Sequence, residues 1–104
     1  MLTSKQRAYL RGIASKEDTI FQIGKSGISD NLIAQVNDAL KAREIVKLKV
    51  LENSLISAEE AAAEIAEKTK SDIVQTIGSK LVLFKRNPQE PKIELPKGDK
   101  KSKV

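Results

Sequence analysis

Gly24-Lys25-Ser26-Gly27 is the stretch of this 104-residue sequence best equipped to meet a ligand. Two glycines three positions apart let the backbone turn sharply and come close to a bound group with no side chain in between. Ile23 closes an apolar, β-branched run before the loop, and Ser29 stands after it where a helix cap belongs. The loop therefore joins a strand to a helix N-terminus, whose unpaired amides and dipole favour an anion. Lys25 adds a mobile positive charge and Ser26 a hydroxyl donor. The sum is a phosphate clamp, although the same four residues also fit a plain strand-to-helix turn. It is not a nucleotide-binding loop: the longer Gly-x-Gly-x-x-Gly and Gly-x-x-x-x-Gly-Lys-Ser/Thr patterns are both absent.

The charge distribution points to the same kind of ligand. Formal net charge is +5. Residues 1–51 carry nine Lys or Arg against five acids, residues 52–86 five against six, and the remainder five against three. A basic first half suits a polyanionic partner, and it also suits a merely soluble surface. Within it, Lys5, Arg7 and Arg11 lie on one helical segment, with Arg7 and Arg11 a turn apart. Lys47 and Lys49 alternate with apolar residues, as an exposed lysine row or a guard against aggregation would. They are only secondary candidates for contact.

Chemistry of other kinds loses its usual equipment. The chain has no cysteine and no histidine. Disulfides, thiolate nucleophiles and cysteine-held zinc are excluded, and the commonest general base and neutral metal ligand are missing. No catalytic residue, metal, cofactor or small-molecule substrate is expected. Glu59, Glu60, Glu64 and Glu67 share one helical segment but read as its solvated face. The N-terminal residues lack the apolar stretch of a secretory signal, and no segment approaches a membrane span, so a cytoplasmic location is expected.

The elements that must hold the loop in place follow from periodicity. A first helix over 3–14 opens with the capping box Thr3/Gln6 and turns Leu10, Ile13 and Ala14 inward. Tyr9 is expected to pack its ring beside the core. Residues 19–23 read as a strand, and Ser29 caps a helix to about Arg43 with Leu32, Ile33, Val36 and Leu40 at helical spacing. In 45–51, Val46, Leu48 and Val50 alternate with lysines, which predicts one apolar and one solvated sheet face. Ser57/Glu60 is a second capping box, opening a helix to about Lys70 with Ala61, Ala62, Ile65 and Ala66 as its inner stripe. Residues 72–77 and 81–86 form a hairpin around Gly78-Ser79-Lys80.

The order α-β-α-β-α-β-β gives an α/β two-layer sandwich: a four-stranded mixed sheet with three helices mainly on one face. Residues 1–86 make up the domain, and the Pro- and Lys-rich 87–104 a tail with little regular structure. With only Tyr9, Phe21 and Phe84 aromatic, the core is aliphatic and no stacking platform for bases is available.

Three segments together go beyond this generic reading. Lys5-Gln6-Arg7-Ala8-Tyr9-Leu10-Arg11, then Ile23-Gly24-Lys25-Ser26-Gly27-Ile28, then Ile77-Gly78-Ser79-Lys80-Leu81-Val82-Leu83-Phe84-Lys85-Arg86 strongly resemble the bacterial YhbY family in order and spacing. These are stand-alone CRM domains, named for chloroplast RNA splicing and ribosome maturation. The resemblance spans about residues 2–96. It implies a fold akin to the C-terminal domain of bacterial initiation factor three, and association with rRNA in precursors of the large ribosomal subunit. It further implies an RNA surface of Gly24, Lys25, Ser26, Gly27, Lys5, Arg7 and Arg11, with Arg86 at a recurring family position. The Lys-rich end from Gly98 has no counterpart in the pattern.

The expectation is thus a monomeric, non-enzymatic RNA-binding protein that assists large-subunit assembly, reading RNA backbone and shape. Two other roles fit the same residues: a translation or ribosome-association factor on mature particles, and a protein-interaction adaptor.

Overall fold

The computed structural model describes residues 2–16, 19, 21–25, 27–86 and 89. Among these the elements run α1 (Ser4–Ala14), β1 (Phe21–Ile23), α2 (Asp30–Arg43), β2 (Ile45–Val50), α3 (Ala58–Thr69), β3 (Asp72–Ile77) and β4 (Lys80–Phe84). This is the order expected from periodicity. The tail assigned to 87–104 falls outside the described residues apart from Gln89.

Each helix begins where a side chain can take up a free amide. Thr3 Oγ1 accepts from the Gln6 amide at 3.1 Å while Gln6 Oε1 accepts from the Thr3 amide at 3.1 Å. Ser57 and Glu60 repeat the exchange at 3.1 and 2.9 Å. Ser29 Oγ caps α2 by accepting from the Leu32 amide at 3.1 Å. The ends of α2 and α3 are less ordinary. Both close on non-glycine residues in the left-handed region, Glu44 at φ 67° and Lys70 at φ 58°. After α3 the Ser71 amide reaches back to the Ala66 carbonyl at 3.0 Å, the longer bond of a Schellman ending.

The sheet has the strand order β1-β2-β4-β3. β1 pairs parallel with β2, while β4 is antiparallel to both β2 and β3. Hence β2 and β3 point the same way across the α3 crossover, with β4 inserted between them. A two-residue loop, Gly78-Ser79, joins β3 to β4, and Gly78 takes φ 58° at its first position. Of the strand expected over 19–23, Phe21–Ile23 is strand, Thr19 is not, and residue 20 lies outside the described residues. The strand pairs only with the second half of β2, from Leu48 to Val50.

The layering expectation needs one correction. Helices α2 and α3 do share a face, packing Val36, Leu40, Ala61, Ala62 and Ile65 onto Val46, Leu48, Val50, Leu81 and Leu83. Helix α1 lies on the other face, where Leu10 and Ala14 join Ile45, Val74, Val82 and Phe84 in a separate cluster. Alternation along a strand sends neighbouring side chains to opposite faces, so β2 and β4 each feed both clusters. The face of β2 read as basic and solvated is therefore partly covered. Tyr9 also departs from expectation: it is 45% exposed on the outer side of α1 rather than packed beside the core.

Candidate nucleic-acid interface

One end of the sheet gathers three connections. The chain leaves β1 into the 24–27 loop, leaves β2 toward α3, and turns from β3 to β4 through Gly78-Ser79. Main-chain bonds stitch them together. The Leu51 amide donates to the Ile23 carbonyl at 2.8 Å, and the Val50 amide donates to the Ser79 carbonyl at 2.7 Å. The loop thus stands on a rigid base.

Within the loop, the Gly27 amide donates to the Gly24 carbonyl at 3.0 Å, closing a β-turn with Lys25 at its tip. Gly27 has φ 72°, a conformation that only glycine adopts without penalty. Gly24 has no such need: an added methyl would meet Asn53 Oδ1 at 3.5 Å and Leu51 Cδ1 at 3.6 Å, ordinary contact distances. Lys25 is exposed at the tip. Ser26 lies outside the described residues. Because the Gly27 amide turns inward, anion binding at this point would fall to Lys25 and the first turn of α2. That turn carries Asp30, whose carboxylate already answers part of the helix dipole. Attraction of a phosphate rests on Lys25 more than a helix N-terminus alone would suggest.

The other basic residues are spread more widely than the sequence pattern implied. Lys47 Nζ donates to the Ala14 carbonyl at 3.2 Å, docking the last turn of α1 over the middle of β2. This bond gives Lys47 a structural task, since a cation at a helix C-terminus satisfies its carbonyls and its dipole. Arg11 is exposed one turn before Ala14. Lys5 is exposed and Arg7 half-buried, about one to two turns farther from Ala14 than Arg11 along the helix axis. Arg86 is exposed but belongs to the opposite end of the sheet, because Phe84 pairs with Ile45 at the start of β2. The length of β2, roughly 20 Å, separates it from the loop. The structure therefore assembles the loop on one sheet end, with α1 on a neighbouring face, and leaves Arg86 apart.

The glutamates of α3 behave as a solvated helix face. Glu60 serves its capping box, and Glu64 pairs with Lys68 at 3.1 Å in the favourable i, i+4 order. Two residues escaped the sequence reading. Glu44 is fully buried at the left-handed end of α2, a place where glycine is usual, and nothing in its neighbours announces it. Lys80 was absorbed into a turn, yet it opens β4 and faces Lys49 across the β2–β4 ladder. Only the register of a non-consecutive strand pair reveals that neighbour.

Comparison with known proteins agrees with this architecture. The CRS1 / YhbY (CRM) domain model matches residues 2–85. The chain belongs to the CRS1/YhbY (CRM) family. The CRM domain thus takes in every described element, from α1 through β4. Probable RNA-binding protein YqeI of Bacillus subtilis is 43% identical over 96 residues, covering 92% of this chain and all of that protein. A Haemophilus influenzae protein named RNA-binding protein is 33% identical, covering 92% of this chain and 96% of its own length. The solution structure of the hypothetical protein SAV1595 from Staphylococcus aureus superposes with a TM-score of 0.77 at 46% identity, covering 92% of this chain and all of that one. The same CRM unit is similar to a portion of a much longer plant protein. Rice CRS2-associated factor 1, mitochondrial, is 27% identical over 93 residues, which is 22% of that protein.

Proposed function

We propose that this CRM domain binds RNA through the 24–27 loop and the exposed side of α1, and that its RNA is ribosomal, within precursors of the large subunit. It acts there without catalysis, as a cytoplasmic monomer that stabilises one RNA shape during assembly. The observation that carries this reading is the loop itself. A hydrogen-bonded turn presents Lys25 at its exposed tip, directly ahead of a capped helix and anchored on the sheet end. RNA binding in the names of full-length relatives supports the same reading.

The mechanism follows from charge and rigidity. Lys25 and the first turn of α2 hold phosphate, and Arg11 with Lys5 and Arg7 supplies electrostatic grip from α1. Sheet and helices fix the spacing between these points. The protein consequently selects RNA whose backbone matches that spacing, with limited reading of bases.

The test is binding of a large-subunit rRNA fragment pool across a salt series, for the wild type and the Lys25→Glu, Arg11→Glu double variant. With about four phosphate contacts, log K should fall against log salt with a slope of roughly −3 to −4, and the variant should show a shallower slope. A folded double variant that binds as the wild type does would remove these residues from the interface. Sedimentation of tagged protein with precursor rather than mature large subunits checks the assembly role. Exclusive association with mature particles would overturn it.

A further inference from the structure

Lys49 and Lys80 are direct cross-strand partners on β2 and β4. The Val50 amide donates to the Ser79 carbonyl at 2.7 Å, the bond that flanks this pair on the side of the hairpin. This makes Lys49–Lys80 a non-hydrogen-bonded pair, the arrangement that brings opposing side chains closest in an antiparallel ladder. Like charges directly opposite one another destabilise a sheet. Their row offers no relief: Gln22 flanks Lys49 and Ile77 flanks Lys80, so the four strands present Gln, Lys, Lys and Ile with no carboxylate. Neither lysine makes an ion pair among the described residues.

The usual reasons for such lysines do not apply. A lysine guarding against sheet extension belongs on an edge strand. The edges here are β1 and β3, while Lys49 and Lys80 sit on the two central strands. Nor is the pair tied to α1 as Lys47 is: among the described residues neither Lys49 nor Lys80 makes a hydrogen bond to that helix. Two cations with no ion-pair partner among the described residues thus stand side by side, on the sheet end that also carries the 24–27 loop.

We propose that Lys49 and Lys80 together form a second phosphate seat for the same RNA strand that the 24–27 loop holds, an inference that rests on the RNA-binding reading above. The pair lies one and two strands away from β1, so Lys80 is about 10 Å across the sheet from the strand that leads into the loop. A GxxG loop grips a run of about four nucleotides, which is long enough to pass over both places. A recess of about 580 Å³ opens beside them, lined by Lys49, Leu51, Ser54, Ile56, Gly78 and Ser79. Glu52 and Glu59 line the same recess and repel phosphate from it, and Lys80 does not line it, so the seat proposed lies on the lysine row itself and not in the recess. The strand runs from Lys25 across the sheet end to Lys80, with one phosphate shared by the paired ammonium groups.

The experiment measures two quantities for Lys80→Gln, Lys80→Glu, Lys80→Arg and Lys25→Glu: binding to the rRNA fragment pool across a salt series, and thermal unfolding without RNA. Lys80→Gln should weaken binding several-fold and lower the magnitude of the salt slope by about one. The melting temperature of the free protein should hold or rise, because a repulsion is gone. Lys80→Glu should lose more affinity and melt higher still, now facing Lys49 with the opposite charge. Lys80→Arg should bind like the wild type. Suppose instead that Lys80→Gln and Lys80→Glu fold and keep wild-type affinity and slope, while Lys25→Glu weakens both. The second seat is then wrong and the RNA reading stands. A wild type that binds no RNA in the pool would overturn both.

Discussion

At the scale of single residues, the two loop glycines separate folding from binding. Gly27 is fixed by its φ of 72°, so Gly27→Ala places a side chain in the left-handed region and should lower stability by about 1–2 kcal/mol. Gly24 has neither a positive φ nor a forbidding neighbour, and Gly24→Ala should change stability by less than about 0.5 kcal/mol. If the glycine at 24 is there for close approach of an RNA backbone, the same substitution should still weaken RNA binding. Denaturant melts and an RNA titration on the two variants check this. Wild-type binding by Gly24→Ala would reduce that glycine to part of a turn. The sequence revealed the pair of glycines but not their difference, because φ at one and the surroundings of the other are set by the finished fold.

At the scale of elements, what could be read was what local chemistry decides. Both capping boxes were visible as Thr3/Gln6 and Ser57/Glu60, since a cap and its reciprocal partner lie three residues apart and need nothing else. The inner stripes of α2 and α3 followed from spacing alone. Helix ends were legible to within a residue, but not their mechanism. Lys70 ends α3 at φ 58°, where the Cβ of a non-glycine residue is crowded. It is exposed, so its side chain contributes little that glycine would forfeit. Lys70→Gly is expected to raise stability by roughly 0.5–1 kcal/mol, read as an increase of a few degrees in melting temperature. Glu44 has the same backbone but a buried side chain, so glycine there would leave a hole and should not stabilise. The pairing of β1 begins only at Phe21 against Leu48, although β2 itself starts at Ile45, and where two strands begin to pair is not a local property.

At the scale of the whole molecule, the placement of α1 decides how the domain holds together. The sequence did contain a sign of it. Leu81, Val82, Leu83 and Phe84 form an unbroken apolar run with all four buried, and a strand apolar on both sides needs cover on both sides. Lys47 and Lys49 hid the same requirement on β2, since a lysine row looks solvated until the carbonyl of Ala14 is found against Lys47. Because β2 and β4 contribute to both clusters, removing α1 would expose Ile45, Val74, Val82 and Phe84 on strands that also carry the opposite core. The two clusters should therefore unfold together rather than as separate layers. Leu10 is fully buried at the centre of the α1 contact, and truncating it removes packing that a domain of this size can hardly spare. Leu10→Ala should lower stability by about 2–5 kcal/mol, with the urea midpoint falling and the slope of the transition unchanged. A second transition, or a shallower slope at reduced amplitude, would mean that α1 detaches on its own. In that event the basic side of α1 would meet RNA as a mobile arm, and its spacing from the 24–27 loop could not be what selects RNA shape.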